Sequence, residues 1–165
     1  MRTFAEATAV VGLVAVLFVP PLFTRDPWNP DEPRYVEVAR EMVVLGQYLV
    51  PHLNGEPYSD KPPLFFWLAA LFWHLGAGVN SGRLVAILAN LGTVALVYHL
   101  GRRYLGRRGG LLAAAVSATC VLFLHIGKFG VLDPLLTFFT TAAILCGLNA
   151  LTPQRQPRWW LGFYP

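Results

Sequence analysis

Five stretches without a charged residue constrain the fold of this chain more than any other feature. They hold no Asp, Glu, Lys or Arg, are 18 to 21 residues long, and cover residues 7–24, 62–82, 84–101, 109–127 and 134–154. A helix rises about 1.5 Å per residue, so each stretch would extend roughly 27–31 Å, close to the ~30 Å hydrocarbon core of a bilayer. With 55% hydrophobic residues, the chain is also too apolar for a soluble domain of 165 residues. The sequence therefore predicts an all-α, polytopic transmembrane protein.

The positions of the basic residues predict how the chain crosses the membrane. Cytoplasmic loops of membrane proteins are enriched in Lys and Arg. The arginines within 102–108 and 155–158 lie on the cytoplasmic side together with Arg2 only if the segment 62–78 does not cross the membrane. We therefore expect about four spanning helices, with 62–78 dipping into or lying along the outer interface. Trp67 and Trp73 favour that placement, because aromatic residues are enriched at membrane interfaces.

This topology divides the chain into four parts. They are a first helix (1–24), an outer loop with juxtamembrane helices (25–82), three further helices (83–154) and a cytoplasmic end (155–165). The first helix is expected to be retained, because a Pro-Pro-Leu-Phe run at 20–23 follows it in place of the small-residue cleavage site of a signal peptide. The basic residues cluster at helix ends, which indicates topology and not nucleic-acid binding.

A polar segment between residues 25 and 61 interrupts the apolar sequence. It holds seven of the nine acidic residues, and an eighth, Asp133, is predicted on the same outer side. Within it, residues 33–46 predict an amphipathic helix on the bilayer surface, opened by Pro33 and closed by Gly46. Its apolar stripe is Tyr35, Val38, Met42 and Leu45, and Arg34, Glu37 and Glu41 form the solvated face. Residues 47–60 predict a turn-rich connection.

Four residues on this outer side could carry chemistry, and each also has a structural interpretation. Asp31 and Glu32 could satisfy the first N–H groups of the helix, or one of them could serve as a general base because a neighbouring carboxylate raises its pKa. Lys61 could place its charge at the membrane boundary or contact a lipid phosphate. Asp133 could cap the last helix or mark a site at the helix mouth.

Three motifs in the polar segment resemble a known family. They are Asp-Glu-Pro-Arg-Tyr-Val-Glu-Val-Ala-Arg-Glu-Met at 31–42, Pro-His-Leu-Asn-Gly-Glu-Pro-Tyr at 51–58, and Asp-Lys-Pro-Pro-Leu-Phe-Phe-Trp-Leu at 60–68. In order and spacing they resemble the first outer loop of the aminoarabinose transferases and protein-mannosyltransferase-like glycosyltransferases of the GT-C fold. Members of that family are several times longer, so residues 1–165 would correspond to the N-terminal part of the GT-C transmembrane domain.

The resemblance implies a function and a location. Members of this glycosyltransferase family take a sugar from a polyprenyl-phosphate carrier at the outer face of the bacterial cytoplasmic membrane and transfer it to a lipid, protein or glycan acceptor. The implied partners are therefore membrane lipid, the lipid-linked sugar and that acceptor. The alternative is an inactive fragment or a non-catalytic membrane subunit.

The resemblance also implies roles for individual residues. The catalytic residues would be Asp31, with Glu32 beside it, and Asp133. Substrate-binding residues would be Arg34, Tyr58 and the carrier-phosphate ligand Lys61. Asp60 falls where aminoarabinose transferases have a glutamate that can ligate zinc, which makes it a candidate ligand of a divalent metal.

Overall fold

The computed structural model describes residues 2–24, 26–27 and 30–151, which form helices almost throughout. The helices are α1 (Arg2–Phe18), α2 (Pro21–Thr24), α3 (Asp31–Leu45), α4 (Leu64–His74), α5 (Ser81–Thr119), α6 (Val121–Ile126) and α7 (Asp133–Ala150), with a 3-10 turn at Gly78–Asn80. The predicted cytoplasmic end, 155–165, lies outside the described residues.

A small β-hairpin stands in the connection for which the sequence predicted only turns. Strands β1 (His52–Leu53) and β2 (Glu56–Pro57) pair antiparallel, with His52 opposite Pro57 and Leu53 opposite Glu56. The two residues between them, Asn54 and Gly55, have φ values of 55° and 81°. Positive φ at both central positions is typical of a two-residue hairpin turn, which favours Asn-Gly. The expectation of an all-α chain therefore needs this one correction.

Helix α3 matches the predicted helix but buries its apolar stripe inside the protein. It ends at Gly46, whose left-handed φ of 65° suits a residue without a Cβ. Tyr35, Val38 and Met42 pack in one cluster with residues of α4, whereas Leu45 is exposed. The stripe therefore contacts α4 and does not face the bilayer, because α4 supplies a matching apolar surface.

The predicted solvated face of α3 is also partly wrong. Glu37 lies at the surface and pairs with Arg40, but Glu41 is buried. The Glu41 carboxylate accepts a hydrogen bond of 3.2 Å from the backbone N–H of Gly55. Glu41 is buried because the β-hairpin covers this part of α3, where the Glu41 carboxylate accepts the hydrogen bond of the turn residue Gly55.

Helix α4 is short. It has 11 residues, so it extends roughly 16 Å, about half of a hydrocarbon core. It follows Pro63 and is succeeded by Gly76, whose φ is 87°. The apolar stretch 62–82 is thus divided between a short helix and a turn.

Helix α5 reverses direction at Gly106. This glycine has φ 73° and ψ −173°, which no helix contains. The segments on either side, 81–105 and 107–119, pack against each other closely: a Cβ on Gly101 would lie 2.9 Å from the Cβ of Ala113, and one on Gly110 would lie 2.9 Å from the Tyr98 carbonyl oxygen. We call these segments the first and second arms of the α5 hairpin. They correspond to the predicted helices 84–101 and 109–127, except that the second arm ends at Thr119 and α6 follows.

Helix α1 packs on both arms of the α5 hairpin, and its two ends contact different parts of the molecule. Val10, Val14 and Phe18 share a buried cluster with Val94 and the alanines of the second arm. Near the start of α1, Glu6 is buried and accepts hydrogen bonds from Tyr98 and Arg102, and it also pairs with Arg107. The N-terminal end of α1 therefore lies beside the tip of the α5 hairpin.

By length and composition, two of the described helical segments could cross a membrane. They are Gly78–Thr119, which contains the α5 hairpin, and Asp133–Ala150, which is α7. Two shorter apolar helices are Thr8–Phe18 and Leu64–His74. The predicted membrane character is therefore present, while the number of four spans stays a prediction.

Candidate functional site

Two of the predicted catalytic acids are each the first residue of a helix. Asp31 begins α3 and Asp133 begins α7. The N-terminal end of a helix carries a partial positive charge, which attracts a negatively charged side chain. Both side chains are accessible: Asp133 is exposed, and Asp31 is half-exposed, 3.6 Å from the Arg34 guanidinium. These carboxylates could therefore meet a ligand.

Several of the predicted site residues act electrostatically on the buried Tyr35 hydroxyl. Burial is the largest cause that raises the pKa of Tyr35 to about 12; Asp31, Tyr58 and Asp133 contribute in the same direction, and Arg34 opposes them. The packing agrees for part of this set, because Tyr35 lies in one buried cluster with Tyr58, and Leu132, the chain neighbour of Asp133, packs against that cluster. The sequence placed Tyr35 in an apolar stripe and missed this role. The Tyr35 hydroxyl is the one oxygen atom in the side chains of that stripe, and this was the feature of the sequence that could have indicated such a role.

Aromatic packing fixes the position of Tyr35 and Tyr58. The Tyr35 ring lies edge-on to Phe65 and Phe66, with centroid distances of 5.8 Å and 5.7 Å. The Tyr58 ring contacts the same Phe66 at 6.0 Å. The Tyr58 hydroxyl is buried without a hydrogen-bond partner among the described residues. An unpaired buried hydroxyl is costly, which suits a group that binds a ligand.

Glu32 does not share the surroundings of its neighbour Asp31. Its side chain is fully buried and pairs with Arg83, whose Nε lies 2.6 Å from Oε1 and whose Nη2 lies 3.2 Å from Oε2. The backbone N–H of Gly130 donates to the same Oε1 at 2.9 Å. Both carboxylate oxygens are thus occupied. The structure places Glu32 in the interior as a paired carboxylate, apart from the accessible Asp31, and its catalytic role stays a prediction.

Arg83 was missed by the sequence interpretation. It is the single Asp, Glu, Lys or Arg between Lys61 and Arg102. A lone charge in an apolar stretch needs a partner if it is buried, and this requirement was the signal available. Arg83 is buried and also donates to the Asn80 side chain at 3.2 Å. The partner, 51 residues away in sequence, could not be found from spacing.

The remaining predicted site residues lie at the surface of the outer connection. Asp60 and Lys61 are both exposed, and the Lys61 ammonium pairs with no carboxylate within the described ranges. In the part of the chain that the structure describes, no three His, Cys, Asp or Glu side chains come together in a way that could hold a metal ion. The role of Asp60 as a metal ligand stays a prediction.

Comparison with known proteins identifies the family. The sequence model of the dolichyl-phosphate-mannose-protein mannosyltransferase family matches residues 60–165. The chain belongs to this family. The predicted resemblance to aminoarabinose transferases and protein mannosyltransferases is therefore confirmed.

Relatives within this mannosyltransferase family support the same conclusion over nearly the whole chain. The chain is 33% identical over 168 residues to undecaprenyl phosphate-alpha-4-amino-4-deoxy-L-arabinose arabinosyl transferase 2 of Sodalis glossinidius, covering 99% of this chain and 30% of that protein. It is 36% identical over 162 residues to the corresponding transferase of Pectobacterium carotovorum, covering 94% and 29%. The chain thus spans about a third of the length of these curated relatives.

A solved structure of a family member shows the same fold. The crystal structure of ArnT from Cupriavidus metallidurans bound to undecaprenyl phosphate superposes with a TM-score of 0.81 at 25% identity, over 94% of this chain and 30% of that one. The apo form of the same protein gives the same TM-score. The match agrees with the predicted helical membrane fold of the GT-C type.

Proposed function

We propose that the protein containing this segment is a membrane glycosyltransferase that moves a sugar from a polyprenyl-phosphate donor to an acceptor. The observation that carries the proposal is that the Glu32 carboxylate accepts a hydrogen bond from the Gly130 N–H, which brings the start of α3, with Asp31, next to the loop that leads into Asp133. The relatives are named for transfer from undecaprenyl phosphate-linked 4-amino-4-deoxy-arabinose, which favours that lipid-linked amino sugar as the donor. The acceptor we propose is lipid A or another lipid, protein or glycan of the cell envelope.

Asp31 is proposed as the group that acts on the acceptor. Transfer forms a bond between the acceptor oxygen and the anomeric carbon of the sugar and breaks the bond from that carbon to the carrier phosphate. When the acceptor is a hydroxyl, its proton passes to the half-exposed Asp31 carboxylate as general base. When the acceptor is itself a phosphate, no proton needs to leave, and Asp31 orients the acceptor.

Positive charge is the second requirement of this reaction. The carrier leaves as a phosphate anion, so it needs electrostatic stabilisation more than it needs a proton. Lys61 and Arg34 supply that charge, and the exposed Lys61 ammonium has no carboxylate partner among the described residues to compete for it. Tyr58 and Tyr35 would hold the sugar through their hydroxyls, and the Tyr58 hydroxyl has no hydrogen-bond partner among the described residues.

We propose four spanning helices, α1, the two arms of the α5 hairpin and α7, in a bacterial inner membrane with the site outward. Two contacts support this arrangement. Glu6 joins the start of α1 to the hairpin tip at Arg102 and Arg107, and Glu32 joins α3 to the opposite end of the first arm at Arg83. The N-terminus and the tip therefore share one side, and the candidate site lies on the other. The segment that contains α4 then enters the membrane from the outer side and leaves it on the same side.

The proposal is tested by Asp31→Asn and Lys61→Ala in the full-length protein. Transfer from the undecaprenyl-phosphate donor to lipid A should fall at least about a hundredfold in each variant. Glu37→Gln is the matched control, because Glu37 lies on the same helix with its charge paired to Arg40 at the surface, and it should keep wild-type transfer. Unchanged activity of Asp31→Asn removes Asp31 from both proposed roles, general base and orienting group. Absence of transfer by the wild type would favour the non-catalytic subunit.

A further inference from the structure

The tip of the α5 hairpin is a cluster of positive charge. Four arginines lie between residues 102 and 108, and all four are exposed. Residues 84–132 contain no acid, and the acid that pairs with the tip is Glu6 of α1. Four guanidinium groups and one carboxylate leave three positive charges uncompensated. This surface therefore favours a partner that supplies negative charge.

Contacts from α1 and α7 hold the base of the tip in place. Glu6 accepts a hydrogen bond of 3.0 Å from Arg102 and also pairs with Arg107. Asn149, near the end of α7, accepts a hydrogen bond from Arg103. Three helices thus meet at one end of the molecule. The arginines of the tip are therefore presented on a fixed base, which lowers the cost of ordering them around a ligand.

Arg108 is the arginine of the tip that these contacts do not use. It is exposed, and it pairs with no carboxylate in the part of the chain that the structure describes. Its neighbour Arg107 is still 53% exposed although it pairs with Glu6. A guanidinium presents its N–H donors in a planar fork that matches the oxygens of a phosphate. Arg108 can therefore bind a phosphate, and Arg107 adds a second charge close by.

The length of the first arm places the tip at the depth of lipid headgroups. The buried Arg83 marks the outer end of this arm, where it pairs with Glu32. A helix from Arg83 to Arg102 extends about 29 Å, close to the ~30 Å hydrocarbon core of a bilayer. Tyr104 and Leu105, between the arginines, are 59% and 72% exposed. Aromatic and apolar side chains beside basic ones are typical of a membrane interface.

These features favour a phospholipid over other anions. Nucleic acid or an acidic polypeptide would match the charge of the tip but would leave Leu105 in water. The polyprenyl-phosphate carrier is an anionic lipid too, but its proposed ligand Lys61 belongs to the outer connection, at the opposite end of the first arm. Anionic phospholipids attract basic residues next to the membrane, and their acyl chains offer Leu105 an apolar environment.

We propose that the tip of the α5 hairpin binds the headgroup of an anionic phospholipid, with Arg108 donating to the phosphate and Leu105 contacting the acyl chains. The inference rests on the membrane arrangement of the proposed function and adds a lipid-binding surface that takes no part in transfer. The lipid would bind where α1, the hairpin and α7 meet. Its binding therefore stabilises the folded protein.

The thermal stability of the full-length protein tests this proposal. The protein in dodecyl maltoside is titrated with dioleoylphosphatidylglycerol and, separately, with dioleoylphosphatidylcholine, which has the same acyl chains and no net charge. A ligand that binds the folded state raises the thermal midpoint with its concentration, which yields an apparent Kd. We expect phosphatidylglycerol to bind at least about fivefold more tightly than phosphatidylcholine, and high salt to reduce the difference.

Substitutions of Arg108 locate the effect. In Arg108→Gln the apparent Kd for phosphatidylglycerol should rise about fivefold, as the loss of one basic residue near an anionic surface predicts. Arg108→Lys keeps the charge and should recover most of the affinity. Arg40→Gln is the matched control, because it removes one partly exposed arginine from α3, and it should leave the Kd unchanged.

Each outcome supports or overturns the inference. Equal Kd values for the wild type and Arg108→Gln overturn it, as does equal stabilisation by phosphatidylglycerol and phosphatidylcholine. Poly-glutamate and undecaprenyl phosphate are titrated as alternative occupants. If either one gives a larger shift than phosphatidylglycerol, and Arg108→Gln removes that shift, the tip binds that occupant and the inference is wrong.

Transfer activity is measured on the same preparations and separates this inference from the proposed function. An inactive wild type that binds phosphatidylglycerol through Arg108 refutes the proposed transfer and leaves the lipid-binding surface in place. An active wild type without Arg108-dependent binding refutes the surface alone.

Discussion

Glu32 and Arg83 form a buried ion pair with a shortest N–O distance of 2.6 Å, and Glu32 is the chain neighbour of Asp31. Through Gly130, the same carboxylate also contacts the loop that leads into Asp133. One interior side chain thus fixes the starts of α3 and α7 relative to each other. The two proposed catalytic acids are therefore held in place by a buried residue between their helices.

Removing one partner of this pair should destabilise the protein strongly. Arg83→Met removes the positive charge that compensates the buried Glu32 carboxylate, and breaking such a buried pair typically costs about 3–5 kcal/mol. We expect a clear fall in the thermal midpoint of the purified protein in detergent. The double variant Glu32→Gln with Arg83→Met should recover part of that loss, because it removes the uncompensated charge.

The surface pair on the same helix provides the control for that experiment. Arg40 donates two hydrogen bonds to Glu37, and they hold the pKa of the Glu37 carboxyl below its usual range. Both side chains are nevertheless partly exposed, and pairs of this kind contribute about 0–1 kcal/mol. Arg40→Met should therefore leave the thermal midpoint almost unchanged. A loss as large as that of Arg83→Met would contradict the distinction between the two pairs.

The raised pKa of Tyr35 predicts a specific alkaline destabilisation. Tyrosine in an unfolded chain ionises near pH 10, whereas Tyr35 in the fold ionises at about 12. The stability that the neutral hydroxyl contributes is complete below pH 10 and is lost as the pH rises through 12. Tyr35→Phe removes this ionisation, so its thermal midpoint should fall less than that of the wild type between pH 9 and pH 12. Parallel curves for the two proteins would contradict the assignment.

The proposed topology can be tested with two single cysteines. Leu49 is 89% exposed in the outer connection, and Leu105 is 72% exposed at the tip of the α5 hairpin. In a background with Cys120 and Cys146 replaced by Ser, a membrane-impermeant maleimide added to intact spheroplasts should label a cysteine at 49 and not one at 105. Permeabilisation should make both reactive. Labelling of both in intact spheroplasts would place them on one side and refute the arrangement.

Gly127→Ala should disturb the packing around Asn90. The new methyl group would lie 2.5 Å from Asn90 Nδ2 and the Phe18 ring, and inserting a methyl group into such a site costs about 1–3 kcal/mol. Gly12→Ala is the control, because the structure gives a Cβ at Gly12 no neighbour within 4 Å. It should be neutral or slightly stabilising, since Ala favours helix over Gly. Equal thermal midpoints for the two variants would show that the site tolerates a side chain.

The sequence predicted those features that depend on local pattern. The helix at 31–45 follows from its apolar periodicity and the closing Gly46, and the α5 hairpin follows from two uncharged stretches separated by arginines. The burial of Glu32, Glu41 and Arg83 could not be predicted, because each depends on a partner from a distant element. The electrostatic action of other site residues on Tyr35 was hidden for the same reason: it requires the relative placement of α3, α7 and the β-hairpin.

Asp31 and Glu32 stand side by side in the chain but face different chemical requirements. The Glu32 carboxylate must extend far enough to meet Arg83 and the Gly130 N–H at once, so at position 32 the length of the side chain matters as much as its charge. A shortening of one methylene, Glu32→Asp, would withdraw the carboxylate from both partners. At position 31 the group faces outward, and a longer acid would alter its reach toward substrate and leave the interior untouched. Two acids that look interchangeable in the sequence are therefore subject to separate constraints, one set by the fold and one by the proposed reaction.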